Sequence, residues 1–310
     1  WHQDRPLLRS LRDAALDRLC TLLGPEAKNV NKLELNDSQV EIFGIPIMVA
    51  NTSGASGPHV IEIDVSEFED LFPVCMIARE NIDERPRMDI SEIQHVDGDT
   101  FGYELDRKPD RYVLATDMEQ WSIMFNWILA VKKPGDKGKA LKVLRQHEDV
   151  IDDMGLKTVI TTEDVENKVV LEQKRGKETL SVKISKETGM IDQMILNGNQ
   201  LLKKPAEIRC FEDKPYKNPC WNYPVNWWEN PMDSLMEEPE IELIEQGPVK
   251  WTVRIKTNLR KNSSLFIDYT MTKNLPGLDV EMGIDFHETE TLVKYMLPVN
   301  IATDYSVAET

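Results

Sequence analysis

The residues best suited to chemistry lie in an irregular stretch, residues 211–240, which holds five prolines, three tryptophans and two tyrosines among many acids. Aromatic faces stack on the apolar faces of sugar rings, and flanking carboxylates accept hydrogen bonds from sugar hydroxyls. The candidate carbohydrate-contact residues of this stretch are Trp221, Trp227, Trp228, Asp213 and Glu229. An alternative stays open, in which the tryptophans only anchor a long loop onto a sheet.

Metal and nucleophile chemistry find less support in the sequence. The histidines are at positions 2, 59, 95, 147 and 287, and the first, third and fourth of them open a His-x-Asp triplet. Such a triplet is a weak signal in so acidic a chain, and the three fall at a chain end, a turn and a linker. His287, beside two glutamates, is expected to be a hydrogen-bonded residue at a strand end. We therefore predict neither a metal site nor a catalytic residue in this chain.

Composition excludes some partners. Lys and Arg number 37 against 54 Asp and Glu, so the net charge of −17 disfavours phosphate backbones and hence nucleic acid. No apolar run is long enough for a membrane helix, and the charged start lacks the apolar core of a signal peptide. The cysteines at 20, 75, 210 and 220 lack metal-ligand spacing, which favours thiols in a reducing cytosol. A Cys210–Cys220 disulfide is the minor alternative, and we expect a cytoplasmic protein.

The hydrophobic pattern changes once along the chain. Residues 6–23 place leucines and alanines at spacings of mostly three and four, which predicts an amphipathic helix that must pack on another element. From Val40 onward, short β segments separated by turn residues predict a small β-sandwich. That expectation includes the stretch from Ser122 to Leu144, which we interpret as β.

A second β domain follows an acidic linker at residues 147–153. Turn signals at Glu187-Thr188-Gly189 and Asn197-Gly198 predict hairpins with strands on both sides. The remainder is strand-rich apart from the loop described above, so we predict two large packed sheets.

Several segments resemble the family 38 α-mannosidases, in the same order along the chain. They are residues 43–65, 127–144, 167–202, 211–228 and 275–299. The strongest match joins Leu275-Pro276-Gly277-Leu278-Asp279-Val280 to Lys294-Tyr295-Met296-Leu297-Pro298-Val299, which is similar to the family's "Leu-Asp … strand … Lys-x-x-Phe-Pro-Val". The segment 127–144 departs from the family at Asp136, Lys137 and Lys139. The resemblance covers about residues 40 to 305.

The resemblance implies a mainly β fold with three parts. These are a helix from the end of a helical bundle (1–34), a small β-sandwich (35–148) and a large antiparallel, galactose-mutarotase-like supersandwich (149–310). It also implies a retaining glycosidase whose divalent metal, such as zinc, is held by an N-terminal catalytic domain. A β/α barrel takes about 250 residues, and no βαβ succession is visible, so we expect no cofactor in this chain. The abrupt ends predict boundaries inside a longer protein, with the last domain truncated at Thr310.

The resulting hypothesis is the C-terminal region of an α-mannosidase-like glycosidase. It would frame the active site for α-mannosides and support the catalytic domain, and it would be inactive alone. Its expected partners are the mannoside substrate and that catalytic domain, without nucleic acid or membrane, and a homo-oligomer stays open. The alternative is a stand-alone carbohydrate-binding module or a structural interaction domain.

Overall fold

The computed structural model describes the chain from residue 31 to residue 303, with gaps. The described residues are 31–33, 40–51, 56–68, 70–78, 90–97, 99–100, 107–108, 110–118, 120, 122–146, 158–218, 222, 224–234 and 238–303. The predicted helix at residues 6–23 and the predicted linker at 147–153 lie outside them. Two compact units divide the chain, one within residues 1–97 and 109–151 and the other within 98–108 and 152–310.

Strands dominate both units, so the prediction of a mainly β protein is confirmed. The first strands in chain order are β1 (Asn31–Leu33), β2 (Ile42–Ala50), β3 (Gly57–Asp64), β4 (Phe72–Ala78), β5 (Ile90–Val96), β6 (Asp99–Thr100), β7 (Arg107–Lys108), β8 (Arg111–Met118) and β9 (Ile123–Val131). The later strands are β10 (Thr158–Val165), β11 (Lys168–Arg175), β12 (Glu178–Ser185), β13 (Ile191–Leu196), β14 (Asn199–Gln200), β15 (Glu207–Glu212), β16 (Pro231–Met232), β17 (Glu240–Gln246), β18 (Lys250–Leu259), β19 (Ser263–Thr272), β20 (Asp279–Asp285) and β21 (Thr291–Met296).

Helical structure is sparse in the described residues. One α-helix, α1, spans Lys137–Arg145, and short 3-10 helices span Val65–Phe68, Pro134–Asp136 and Trp227–Glu229. None of the helices in this part of the chain has the length and hydropathy needed to cross a membrane.

The first unit is built on a seven-stranded sheet in the order β1-β2-β9-β4-β5-β8-β3, with antiparallel neighbours. The strand β9 is apolar along most of its length because both faces of the sheet are covered. Ile128 packs with Leu114 on one face, and Leu129 packs with Leu144 of α1 on the other. The finer description of this unit as a sandwich stays a prediction.

The segment Lys137–Arg145 corrects one expectation. The interpretation of this stretch as β was wrong, because it forms α1. Ala140 and Leu144 lie four residues apart on one helical face, and both are fully buried in a core cluster with residues of the sheet. Pro134 begins the 3-10 helix that leads into α1, since its fixed φ suits a first helical turn.

In its described residues the second unit contains the two-stranded sheet β6-β7 and three larger sheets around one core. Their orders are β10-β11-β12-β13-β14, β16-β15-β21 and β17-β18-β19-β20. Side chains from all three sheets meet in this core, among them Val182, Ile208 and Ile267. The hairpin predicted at Asn197-Gly198 is confirmed, since both residues adopt positive φ (50° and 83°) between β13 and β14. The supersandwich description stays a prediction.

Candidate functional site

The tryptophan loop, residues 213–230, begins at the end of β15 and ends at the start of β16. The two strands are antiparallel neighbours, with Phe211 opposite Pro231. The backbone N–H of Glu212 donates to the carbonyl oxygen of Asn230 at 3.0 Å, which closes the mouth of the loop. A long loop whose ends meet and whose own side chains pack it is typical of functional surface loops. The sheet therefore fixes where this loop projects.

Trp227 anchors the loop. Its ring meets Phe211 edge-on, with ring centroids 4.7 Å apart and an interplanar angle of 79°. The Lys294 ammonium lies 4.3 Å from the centre of the Trp227 ring, in cation–π contact. Aromatic pairs of this kind contribute about 0.5–1.5 kcal/mol beyond area burial, and an exposed cation–π contact adds about 0.5–1 kcal/mol. The anchoring alternative is thus the observed arrangement for Trp227.

Trp228 presents its ring to solvent. It is 56% exposed, and its ring stands edge-on to that of Trp227, with centroids 5.7 Å apart. The next residue, Glu229, is also exposed, and its Oε2 accepts a hydrogen bond from Asn226 Nδ2 at 2.6 Å. A solvent-facing indole beside an oriented carboxylate is the pairing that a sugar ring and its hydroxyls require.

Asp213 begins the loop in a partly covered position. Its backbone N–H donates to the carbonyl of Glu290 at 2.8 Å. One carboxylate oxygen, Oδ1, is shielded from solvent and accepts no hydrogen bond. A shielded acceptor without a donor is unfavourable by about 1–3 kcal/mol, so a hydroxyl donor that reached it would be stabilised. Trp221, the remaining predicted contact residue, lies outside the described residues.

Ion pairs surround the mouth of the loop. The Lys214 ammonium lies 2.6 Å from a Glu212 carboxylate oxygen and 3.1 Å from one of Glu290. Hydrogen bonds to Glu212 and then to Glu290 raise the pKa of Lys214. These groups are solvent-exposed, so their contribution to the stability of the fold is small. They place one positive and two negative side chains beside the mouth of the loop.

The sequence missed two residues of this region, Lys294 and Glu290. Both lie more than 60 residues after Trp227 along the chain, at or near β21. They reach the loop because β21 pairs with β15, with Arg209 opposite Lys294. The resemblance marked Lys294 as part of a motif, but cross-strand pairing of distant segments is not readable from periodicity.

Three histidines are among the described residues. His287 Nε2 lies 2.9 Å from Asp285 Oδ1, and His95 Nδ1 lies 3.3 Å from Asp97 Oδ1. His59 Nε2 lies 3.2 Å from Asn51 Nδ2. The triplets that open at His2 and His147 lie outside the described residues.

The comparison with protein families bears on the second unit. Residues 176–310 match the model described as "Glycosyl hydrolases family 38 C-terminal domain". This region is therefore similar to the C-terminal domain of the family 38 glycosyl hydrolases. The match contains the whole tryptophan loop together with strands β12 to β21. No curated protein matches the chain.

The family 38 C-terminal domain is a glycosidase-associated domain. In the family it accompanies a catalytic domain and a carbohydrate substrate. The exposed Trp228 and Glu229 lie within the matched residues. The residues before 176 lie outside the match, and they include the whole first unit.

Proposed function

We propose that this chain forms the C-terminal region of an α-mannosidase-like retaining glycosidase. In this proposal it supports the catalytic domain and frames an active site for α-mannosides. The single observation that carries the proposal is the family 38 match over residues 176–310. The exposed pair Trp228 and Glu229, on a loop anchored by Trp227, supports a direct contribution to sugar binding.

The proposed roles follow from the geometry of the tryptophan loop. The exposed face of Trp228 stacks on the apolar face of a pyranose ring, since aromatic rings line most small-ligand sites. Glu229, oriented by Asn226, accepts hydrogen bonds from the sugar's hydroxyl groups. Asp213 is the third proposed contact residue, and because its Oδ1 is shielded from solvent, a sugar hydroxyl would have to displace neighbouring atoms to reach that oxygen. These residues bind and orient the sugar and move no proton of the reaction.

Bond cleavage belongs, in this proposal, to a catalytic domain with a divalent metal such as zinc. The metal would act there as a Lewis acid and as a template for the substrate. A fluorogenic α-mannoside added to the chain, with zinc or cobalt present, is expected to stay intact. Clear turnover that depends on the chain would contradict this division of roles.

A pair of matched variants tests the sugar contact. Binding of mannose oligosaccharides is followed by saturation-transfer NMR for the wild type, Trp228→Ala and Tyr216→Ala. Tyr216 is 96% exposed on the same loop and serves as the control. We expect Trp228→Ala to abolish the transfer signal and Tyr216→Ala to keep it. Equal signals from all three proteins would contradict a role for Trp228.

A structural interaction domain is the second candidate, and one surface favours it. Leu297, Val299 and Ile301 are 44%, 44% and 62% exposed and lie close together along the chain. Apolar side chains grouped on a surface indicate a protein contact. Sedimentation of the chain over a range of concentrations decides this point. Self-association that Ile301→Ser removes would favour this candidate, whereas a monomer at all concentrations would count against it.

A further inference from the structure

Three side chains of types that can ligate metals lie close together at the end of the β5–β8 ladder in the first unit. In this antiparallel pair, His95 lies opposite Tyr112 and Val96 lies opposite Arg111. Asp97 follows Val96, and Asp110 precedes Arg111, at the same end of this ladder. One ligand atom each of His95, Asp97 and Asp110 lies within 4.8 Å of the other two. Strand pairing thus brings together residues that are up to 15 positions apart.

The imidazole of His95 rests on a rigid support. Its ring packs against Tyr112, with centroids 5.3 Å apart and an interplanar angle of 60°. Tyr112 is 4% exposed, and Phe68 holds it edge-on at 5.2 Å. Asp97, by contrast, has a side chain that is 92% exposed. One ligand is therefore positioned in advance, and another can adjust its distance to an ion.

The charges at this strand end favour a cation. Two carboxylates this close repel each other, and one oxygen each of Asp97 and Asp110 lies within 4.8 Å of the other. An ion held between the carboxylates would turn their mutual repulsion into attraction for the ion.

We propose that His95, Asp97 and Asp110 bind a divalent transition-metal ion, with zinc as the preferred ion. Zinc accepts imidazole nitrogen and carboxylate oxygen at about 2.0–2.2 Å, which separates tetrahedral ligand atoms by about 3.3 Å. His95 Nδ1 and Asp97 Oδ1 already lie 3.3 Å apart. Three protein ligands leave a fourth position for water, which suits a site at the surface. The mixed nitrogen and oxygen set disfavours calcium and magnesium, which prefer oxygen alone.

This inference does not rest on the proposed glycosidase function, and it is tested by binding alone. The full chain is stripped of metal with a chelator and titrated with zinc in a calorimeter. His95→Gln and Asp110→Asn remove one ligand each. His287→Gln is the matched control, because it removes a histidine that lies beside a single aspartate, Asp285, at 2.9 Å. Circular dichroism melts of all variants show that each remains folded.

The wild type and His287→Gln are expected to bind one equivalent of zinc with equal affinity. Loss of a ligand should weaken binding at least as much as loss of an outer-shell partner, which is about 10–100-fold. Histidine side-chain NMR provides a second readout, in which zinc should shift the His95 ring signals. Absence of a zinc-binding equivalent in the wild type would overturn the proposal, as would equal affinity in His95→Gln.

Discussion

The Nζ atom of Lys294 lies 4.3 Å from the centre of the Trp227 ring, while the neighbouring Trp228 is 56% exposed. Two adjacent tryptophans therefore have different positions. One is held between a lysine and Phe211 on the outer face of the β15–β21 pair, and the other stands free of the sheet. The 3-10 turn at Trp227–Glu229 produces this division, because successive residues of a tight helical turn point in different directions.

Replacement of the two tryptophans should separate stability from binding. Trp227→Ala removes the ring that contacts Phe211 and Lys294 and is expected to lower the free energy of unfolding by about 1–3 kcal/mol. Trp228→Ala should change it by less than about 0.5 kcal/mol, as surface substitutions do. Urea unfolding followed by circular dichroism gives both values. The same loss for both variants would show that the loop is anchored by both rings.

A buried ion pair in the four-stranded sheet makes a second prediction. Arg254 Nε and Nη2 donate to Asp268 Oδ1 and Oδ2 at 2.8 and 2.7 Å, and both residues are 5% exposed. Asp268→Ala removes the carboxylate that faces the buried guanidinium and is expected to lower stability by about 3–5 kcal/mol. The double replacement Arg254→Met with Asp268→Leu should recover most of that loss.

An exposed pair serves as the control for that experiment. Lys204 and Glu207 lie 2.8 Å apart with side chains 56% and 31% exposed. Lys204→Met is expected to alter stability by less than about 1 kcal/mol, because surface pairs contribute little. Denaturant midpoints of the three variants measure the contrast. If the double variant Arg254→Met with Asp268→Leu is no more stable than Asp268→Ala, the Arg254–Asp268 pair contributes more to stability than two apolar side chains can replace.

Replacement of two glycines by alanine should change the stability of the fold in opposite directions. A Cβ at Gly283 would lie 1.9 Å from the Phe266 ring, whereas one at Gly138 would meet no atom within 4 Å. Gly283→Ala must displace Phe266 and should lower stability by about 1–3 kcal/mol. Gly138→Ala in α1 should raise stability by about 0.5–1 kcal/mol, since alanine favours helix. Thermal unfolding of each single variant measures both, and the opposite order would contradict the packing described here.

Glu288 predicts a dependence of stability on pH. The N–H of Asn262 donates to its Oε1 at 2.8 Å, and that hydrogen bond is the main reason that the pKa of Glu288 is lowered. Because the pKa of Glu288 is lower in the folded protein than in the unfolded protein, where it is about 4.3, the ionised carboxylate stabilises the fold above that pH. This stability is lost as the pH falls through the pKa of the folded protein. Glu288→Gln should therefore be less stable than the wild type at pH 7. The difference should shrink between pH 5 and pH 3 in denaturant titrations, and a constant difference would exclude this role.

Much of the fold was accessible from local patterns. Short β segments were predicted from Val40 onward, and the structure has β3 at Gly57–Asp64. Turn residues at Asn197-Gly198 predicted a hairpin that the positive φ values confirm. These predictions succeeded because strand periodicity and turn conformation depend on neighbouring residues. The helix α1 was missed because a segment of nine residues is too short to show a clear helical period or to be stable alone, and it is stabilised by burial of Leu144.

The candidate site was predictable in its residue types and its place along the chain. Composition alone marked the aromatic and acidic stretch, but it did not separate the anchored Trp227 from the exposed Trp228. That separation depends on Lys294, which reaches the loop through pairing of β15 with β21. Similarly, the triplet at His95 was a weak signal until the β5–β8 register brought Asp110 to it.

The sequence by itself therefore determined the strand-rich class, the turns, the family resemblance and the location of the tryptophan loop. Each of these depends on residues close together in the chain. Only the tertiary structure decided which side chains meet, such as Lys294 with Trp227 and Asp110 with His95. Those contacts arise from strand pairing over long sequence distances, where the register is set by burial of whole sheet faces and not by any local pattern.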